Sequence, residues 1–333
     1  MSNNLSLRQQ IGQRLLVGFG GESLDEEFVA LVRDYKIGNV ILFSRNLKSR
    51  AQMKELCGSI QSLIQRETGY GALIALDEEG GTVSRLPQDC PHMPGALKLA
   101  KSGNEALVYE AALATGRLLR ELGANFNLAP VLDVNSNPLN PVIGPRSYGN
   151  TAQEVIRFSL QVIKAYSDAG ILCCGKHFPG HGDTRVDSHL VLPVVDRDIS
   201  MLEKAELKPF EAAIRTGIPA IMSAHILFPR EDPRRPATLS SRFLTGLLRQ
   251  KMGFNGLILS DCLEMKAIAD NFGSCQGGIM AMEAGADILC ISHTAALARE
   301  IALEAEARVL SGQMDAKAME ASAGRVIAAK SML

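Results

Sequence analysis

The sequence predicts an α/β protein: a single (β/α)8 TIM-type barrel with its active site at the carboxyl ends of the strands. The chain has 333 residues, enough for one barrel of about 250 residues with long loops. Short apolar runs alternate with amphipathic segments along the chain, and eight such runs can be counted. Strands that alternate with helices form a parallel sheet, and eight units favour closure. We therefore expect one catalytic domain over residues 1–333.

The candidate strands are short, rich in Val, Ile, Leu or Ala, and bounded by Gly, Pro or polar residues, as is typical of strands buried on both faces. In chain order they are Leu15–Phe19, Asn39–Phe43, Ala72–Asp77, Asn125–Pro130, Ile171–His177, Ala220–His225, Leu257–Asp261 and Asp287–Ser292. The helical patterns between and after them include Ala51–Gln65, Glu105–Leu122, Ala152–Ala169, Met201–Thr216, Ser241–Lys251, Thr294–Leu310 and Ala316–Lys330.

An open, doubly wound sheet is the structural alternative. A G-x-G-x-x-G turn after the first strand would support it, because that turn binds the pyrophosphate of a dinucleotide. Here Gly18-Phe19-Gly20-Gly21 follows the first strand, and the pattern is not met.

Composition argues against several classes of partner. The net charge is −1, so nothing favours nucleic acid or an anionic membrane surface. No apolar run approaches the roughly 20 residues that span a bilayer, and the first residues lack the pattern of a signal peptide. The seven cysteines include no C-x-x-C pair and are expected to be reduced thiols. We expect a cytoplasmic protein without a cofactor or a metal.

The predicted carboxyl ends of the strands are unusually polar. Strand three ends at Asp77, strand five at Lys176-His177, strand six at His225 and strand seven at Asp261. Active sites of barrels lie at this end, on the loops that follow the strands. Four of the six histidines fall on this face: His177, His181, His189 and His225.

The loop after strand five contains the densest group of chemically active side chains. Asp187 and His189 are two residues apart, so their side chains point the same way in an extended segment. A carboxylate there can orient the imidazole and favour its charged form, which suits an acid/base group. Alternatively, the pair only ties down a surface loop.

Three further side chains allow a functional and a structural interpretation. Asp261 ends an apolar strand, where a carboxylate is costly unless it is paired or functional, but it could also cap the next helix. Asp77, before two glutamates and Gly80-Gly81, could mark only a strand-to-helix turn. Arg146, on the long loop after strand four, could bind hydroxyl groups or form a surface ion pair.

At these residues the sequence resembles family 3 of the glycoside hydrolases. More narrowly, it resembles the β-N-acetylglucosaminidase (β-N-acetylhexosaminidase) branch that trims cell-wall fragments in bacterial peptidoglycan recycling. The most specific motif is the strand-five loop, and the likeness covers nearly the whole chain. The matching segments are Lys176-His-Phe-Pro-Gly-His-Gly-Asp-Thr184, Asp187-Ser-His189, Leu76-Asp-Glu-Glu-Gly-Gly81, Ile143-Gly-Pro-Arg-Ser-Tyr-Gly149, Met222-Ser-Ala-His225 and Ser260-Asp-Cys-Leu-Glu-Met265.

The resemblance implies a role for each matched residue. Asp261 would be the nucleophile of a retaining hydrolase, and His189, paired with Asp187, would be the acid/base. The side chains that would bind the sugar are Asp77, Arg85, Arg146, Lys176 and His177. The substrate would be a small carbohydrate or a muropeptide with a terminal β-linked N-acetylglucosamine.

The chain departs from the family pattern in one residue and in length. Glu78 stands where glutamine is common in the family, and it would place a negative charge beside Asp77. Many relatives have a second α/β domain, for which 333 residues leave no room, so we expect the compact single-barrel type.

Three other functions remain open at this point. One is a β-N-acetylglucosaminide phosphorylase or another family 3 β-glycosidase that forms the same intermediate. Another is a metal-dependent barrel hydrolase, whose ligands could be His177, His181, Asp183 and His225. The third is a sugar-binding barrel without activity.

Overall fold

The computed structural model describes residues 5–184, 186–188 and 190–333, and in this part of the chain eight parallel strands pair in chain order into a closed barrel. The predicted barrel is confirmed. The strands are β1 Leu15–Val17, β2 Asn39–Leu42, β3 Leu73–Leu76, β4 Phe126–Asn127, β5 Leu172–Phe178, β6 Ala220–Ser223, β7 Leu257–Cys262 and β8 Ile288–Ile291.

Each observed strand coincides with a predicted one, and most are shorter. The difference is largest at β4, which was predicted to reach Pro130 but ends at Asn127. Proline has no N–H for the ladder, so the regular pairing cannot extend through this residue. Beyond it, only a single bridge joins Val131 to Lys176. Apolar composition marks where a strand is buried, whereas the ladder ends where the backbone turns toward the loops.

Helices surround the barrel and cover one of its ends. They are α1 Leu7–Gln13, α2 Glu26–Tyr35, α3 Arg50–Thr68, α4 Ala96–Ala100, α5 Glu105–Glu121, α6 Ala152–Ala169, α7 Ile199–Leu202, α8 Lys208–Arg215, α9 Lys266–Phe272, α10 Ser274–Ala284, α11 Ala295–Leu310 and α12 Ala316–Lys330. A π-helix spans Arg242–Lys251. None of the described helices combines the length and apolar character that crossing a membrane requires.

Local sequence explains where several helices begin and end. Helix α6 starts after a capping box, in which Thr151 accepts the N–H of Glu154 and the carboxylate of Glu154 accepts the N–H of Thr151. It ends at Ala169, and the next residue, Gly170, has a left-handed φ of 72°. The predicted bounds Ala152–Ala169 are those observed.

The single helix predicted over Met201–Thr216 is wrong, because the structure has two helices there. Helix α7 ends at Leu202, and α8 begins at Lys208. Pro209 lies in the first turn of α8, where a missing N–H is tolerated, and it would have broken a continuous helix. Between the helices, the buried Glu206 accepts a hydrogen bond from Arg197 at 2.8 Å.

Apolar side chains fill the inside of the barrel toward the amino ends of the strands. Leu16, Leu73 and Phe126 belong to the interior cluster, and Val326 and Ala329 of α12 pack against it. Helix α12 is held there by Arg325, which donates to the buried Asp287 at 2.8 Å. The amino end of the barrel is therefore closed by protein, and the carboxyl end is left for a site.

Candidate active site

A cavity of about 450 Å³ opens at the carboxyl ends of the strands. This is the end where barrel enzymes place their chemistry. Side chains from the loops after several strands face one another across it. The residues predicted from sequence that line the cavity are Asp77, Arg85, Arg146, Lys176, His177 and Asp261.

One wall of the cavity is a network of fixed charges. Lys176 Nζ lies 2.7 Å from Asp77 Oδ1 and 2.7 Å from Glu79 Oε1. Arg146 binds Glu79 with two parallel hydrogen bonds, Nε to Oε2 and Nη2 to Oε1, each 2.8 Å long. The side chains of Lys176 and Glu79 are 3% and 5% exposed. The network therefore presents donors and acceptors that do not need to reorganise when a ligand binds.

The contacts of this network keep Glu79 and Lys176 charged although both are buried. Burial opposes ionisation of Glu79, but Lys176 and Arg146 outweigh it and lower the pKa of that carboxyl to about 2. Burial likewise disfavours the charged form of Lys176, yet Asp77 and Glu79 raise its pKa above the ordinary value. Each buried charge is thus paired, as buried charges must be. The interpretation of Arg146 as a surface ion-pair partner is wrong, because its partner Glu79 lies in the cavity wall.

Asp261 lies across the cavity on β7. It is half-buried, and its Oδ1 accepts the backbone N–H of Cys262 at 2.7 Å. The alternative that Asp261 caps the following helix is wrong, since α9 begins at Lys266 with Met265 at its N-cap position. Asp77 likewise is no mere turn residue, because its carboxylate binds Lys176 within the cavity.

The predicted acid/base His189 lies outside the described residues. Its predicted partner Asp187 is half-buried, and its backbone carbonyl accepts the N–H groups of Leu190 and Val191 at 3.0 and 3.1 Å. Asp187 is not among the described residues that line the cavity, but the next residue, Ser188, is. The loop that carries the predicted pair therefore reaches the cavity at Ser188.

The side chains of Arg85 and Glu78, which lie on the segment after β3, point to different places. The Arg85 guanidinium lies 6.0 Å from the ring centre of Phe43 in the cavity wall. The Glu78 carboxylate is buried and accepts the hydroxyl of Ser84 at 2.8 Å and the backbone N–H of Arg85 at 2.9 Å. Burial raises the pKa of Glu78. Glu78 therefore supports this loop, and the expectation that it adds a charge to the sugar site beside Asp77 is wrong.

The proposed metal ligands are engaged with protein groups. His181 lies 2.9 Å from the Thr184 hydroxyl through Nδ1 and 3.1 Å from the Ser188 hydroxyl through Nε2. The ring nitrogens of His225 lie 2.9 Å from the Thr238 hydroxyl and 2.9 Å from the Cys262 carbonyl oxygen. Within the described parts of the chain, no three His, Cys, Asp or Glu side chains are arranged to hold a metal ion.

Two buried carboxylates of this site were not predicted from the sequence. Glu79 joins Arg146 to Lys176, and Asp133 binds His177 of the cavity lining. The spacing of Glu79 could have revealed it: it is two residues after Asp77, and in an extended segment the two side chains point to the same side. Asp133 opens the long loop after strand four, and only the barrel brings it to strand five.

A closed parallel barrel with a charged cavity at the carboxyl ends of its strands has the arrangement of barrel enzymes. Residues 6–329 match the family described as the glycosyl hydrolase family 3 N terminal domain. The chain belongs to glycosyl hydrolase family 3, and the family predicted from the sequence is confirmed.

Individual relatives agree with this membership. The chain is 37% identical over 317 residues to beta-hexosaminidase A of Pseudoalteromonas piscicida, covering 85% of this chain and 53% of that protein. The solved structure of a family 3 beta-N-acetylglucosaminidase from Paenibacillus is 41% identical with a TM-score of 0.96, covering 98% of this chain and 62% of that one.

A third relative has a similar length. The structure of a beta-N-acetylhexosaminidase from Beutenbergia cavernae is 27% identical with a TM-score of 0.92, and the match covers 98% of this chain and 99% of that chain. By contrast, this chain spans 53% and 62% of the lengths of the Pseudoalteromonas and Paenibacillus proteins.

Proposed function

We propose that this chain is a glycoside hydrolase that removes terminal, non-reducing β-linked N-acetylglucosamine with retention of configuration. The observation that carries the proposal is the cavity in which Asp261 faces the network of Asp77, Glu79, Arg146 and Lys176. The names of the relatives support the choice of an N-acetylated sugar.

The charged network suits a sugar better than an apolar ligand. Lys176 and Arg146 carry N–H donors, and Asp77 can accept from sugar hydroxyls, so neighbouring hydroxyls would meet alternating donors and acceptors. Because these groups are already paired and buried, binding a sugar costs little ordering of side chains. We propose that these residues, with Arg85 and His177, hold the non-reducing sugar.

The reaction follows the two-step course of retaining glycosidases. In the first step a carboxylate oxygen of Asp261 attacks the anomeric carbon while the bond to the leaving oxygen breaks, and His189 gives its proton to that oxygen. In the second step His189 takes a proton from water, and the oxygen of that water displaces Asp261. We propose that Asp187 orients His189, and a histidine here avoids a second negative charge opposite Asp261.

Two further observations support a substrate class and a compartment. The likeness of the strand-five loop to the peptidoglycan-recycling branch supports cell-wall fragments, such as muropeptides, as substrates. All seven cysteines are free thiols, which supports a reducing compartment such as the cytoplasm.

The first test compares two chromogenic substrates with an altered nucleophile. We expect release of p-nitrophenol from the β-N-acetylglucosaminide and not from the β-glucoside, and its loss in Asp261→Asn. Asp196→Asn is a matched control, because Asp196 is exposed and pairs only with Arg230 among the described residues. Release from neither substrate, or full activity of Asp261→Asn, would contradict the proposal.

Two further measurements separate the steps. His189→Ala should slow hydrolysis by roughly 10²–10⁴-fold, while an activated aryl leaving group partly escapes the loss because it needs no proton. Equal losses on aryl and natural glycosides would remove His189 from the role of acid. Analysis of the products in phosphate buffer distinguishes free N-acetylglucosamine from its 1-phosphate, the product of a phosphorylase.

A further inference from the structure

Asp133 is a carboxylate with no exposed surface that contacts His177, a residue of the cavity lining. Its Oδ2 is 2.7 Å from Nδ1 of His177, and its carboxylate accepts the backbone N–H of the same residue at 3.1 Å. Its Oδ1 also accepts the backbone N–H of His181 at 2.6 Å. One buried side chain therefore fixes a cavity-lining imidazole, the backbone at the end of β5 and the backbone of the turn after it.

Asp133 lies beside His177 because the segment after β4, which contains Asp133, runs along the end of β5 in the barrel. Leu132 donates its N–H to the carbonyl of Lys176 at 2.6 Å, so this segment runs beside the end of β5. Gly182 then packs against the Val134 carbonyl so closely that a Cβ atom would lie 1.7 Å from the carbonyl oxygen. The turn after β5 is thus seated on the Asp133 segment by backbone contacts as well as by the carboxylate.

The contacts of Asp133 determine which nitrogen of His177 carries a proton. Burial opposes ionisation of Asp133, but His177 and the N–H groups of the turn outweigh it and hold the pKa of this carboxyl below its ordinary value. A carboxylate only accepts hydrogen bonds, so Nδ1 of His177 must be the donor. The opposite nitrogen, Nε2, lies 3.5 Å from an N–H-bearing nitrogen of Arg146. In the neutral ring Nε2 is therefore an acceptor, since two N–H groups would repel each other there.

We propose that Asp133 is a positioning residue of the reaction, which holds His177 as the Nδ1–H tautomer. Nε2 then stays an acceptor, and a sugar hydroxyl can donate to it in place of the long 3.5 Å contact with Arg146. It acts through His177 and does not touch the substrate. The identity of the ligand as a sugar rests on the proposed function, whereas the tautomer does not.

The isosteric change Asp133→Asn tests the proposal. The amide oxygen can still accept the backbone N–H groups, but the amide nitrogen then faces His177 as a donor. Nδ1 must become an acceptor, and the proton moves to Nε2. We expect kcat/KM for the chromogenic N-acetylglucosaminide to fall by about 10–100-fold, the loss typical when the residue that orients a metal-binding histidine is changed. In a His177→Gln background the same change should cost less than about 3-fold, because the group through which it acts is gone.

The tautomer itself can be read without substrate. Two-bond correlations between the carbon-bound protons and the ring nitrogens of ¹⁵N-histidine distinguish the two forms, and the chain has six histidines. His177→Gln assigns the resonances by the loss of one set. In spectra recorded at pH 8 we expect Nδ1–H in the wild-type chain and Nε2–H in Asp133→Asn. The exposed Asp196→Asn serves as the control and should show the wild-type form.

Three results would overturn the proposal: Nε2–H in the wild-type chain, an unchanged tautomer in folded Asp133→Asn, or an equal loss of activity with and without His177. If Asp133→Asn does not fold, the wild-type spectrum still decides the tautomer. A chain that hydrolyses neither chromogenic sugar contradicts the proposed function, and the spectra then decide the role of Asp133 separately.

Discussion

Replacing Glu79 with glutamine should reveal how strongly the charged network of the cavity stabilises the protein. Glu79 contacts two cations, Lys176 at 2.7 Å and Arg146 at 2.8 Å. Glutamine keeps the size of the side chain but removes its charge, and the two cations then lose a buried partner. Removing one member of a buried ion pair costs about 3–5 kcal/mol of unfolding free energy.

The pKa of Glu79 gives a second route to this magnitude. Its pKa falls from 4.5 to about 2 in the folded chain, and a difference of one in pKa is worth about 1.36 kcal/mol, so ionisation contributes about 3 kcal/mol. Since the pKa is lowered by folding, this stability is present above pH 4.5 and is lost as the pH falls toward 2. By linkage, about 0.8 kcal/mol is lost at pH 4 and about 2 kcal/mol at pH 3.

Urea unfolding measured by far-ultraviolet circular dichroism suits this test, because the chain has no tryptophan. We expect Glu79→Gln to lose about 3 kcal/mol at pH 7, and the difference from the wild-type chain to shrink as the pH falls from 7 to 4. The matched control is Glu105→Gln, which removes an exposed pair with Arg157 and should cost at most about 1 kcal/mol. A loss below about 1 kcal/mol at pH 7, or one that does not depend on pH, would refute the reasoning.

Three further predictions concern other parts of the molecule. Burial lowers the pKa of His181 to about 4, so the unfolded chain binds the proton more readily than the folded one. The free energy of unfolding should therefore fall by about 2 kcal/mol from pH 7 to 5. In urea unfolding of His181→Gln, this dependence on pH should be weaker. Asp287→Asn removes the carboxylate that pairs with two arginines at the closed end of the barrel, so it should lower the free energy of unfolding in urea by about 3–5 kcal/mol. The kcat of the folded enzyme at 25 °C should stay unchanged. A lower kcat would contradict this separation of stability from activity. Burial raises the pKa of the Cys262 thiol, which lines the cavity, to about 11. Because the thiolate is the reactive form, inactivation by iodoacetamide should accelerate about tenfold per pH unit between pH 7 and 10. Cys262→Ala should resist this inactivation, and Cys275→Ala should not.

The strands and the residues of the cavity could be predicted from the sequence because both leave local signals. A strand buried on both faces is an apolar run, and a polar residue at its end stands out, as Asp77 and Asp261 do. The sequence of the loop Lys176–Thr184 was specific enough to predict the family as well. These signals depend on a few neighbouring residues and not on how distant segments pack.

What the sequence did not reveal depends on contacts between distant segments. Asp133 and His177 are 44 residues apart, and their hydrogen bond exists only because the segment after β4 runs beside β5. The direction of the Glu78 side chain is set by the N–H groups of a loop that folds back over it. The break between α7 and α8 had a local signal in Pro209, but the apolar periodicity that continues through it gave a misleading prediction.

The charges around the cavity explain how an acid-rich site can hold Asp261, the carboxylate that we propose as the nucleophile. Asp77 and Glu79 share Lys176, and Glu79 also binds Arg146, so this wall contains as many cations as acids. Without the cations, two carboxylates would face Asp261 in a partly water-excluded cavity, and a third negative charge there would be strongly disfavoured. The pairing that stabilises the fold is therefore the same pairing that offsets the negative charges of Asp77 and Glu79 across the cavity from Asp261. For this reason we expect changes in the wall to alter stability and catalysis together, in contrast to changes at Asp287.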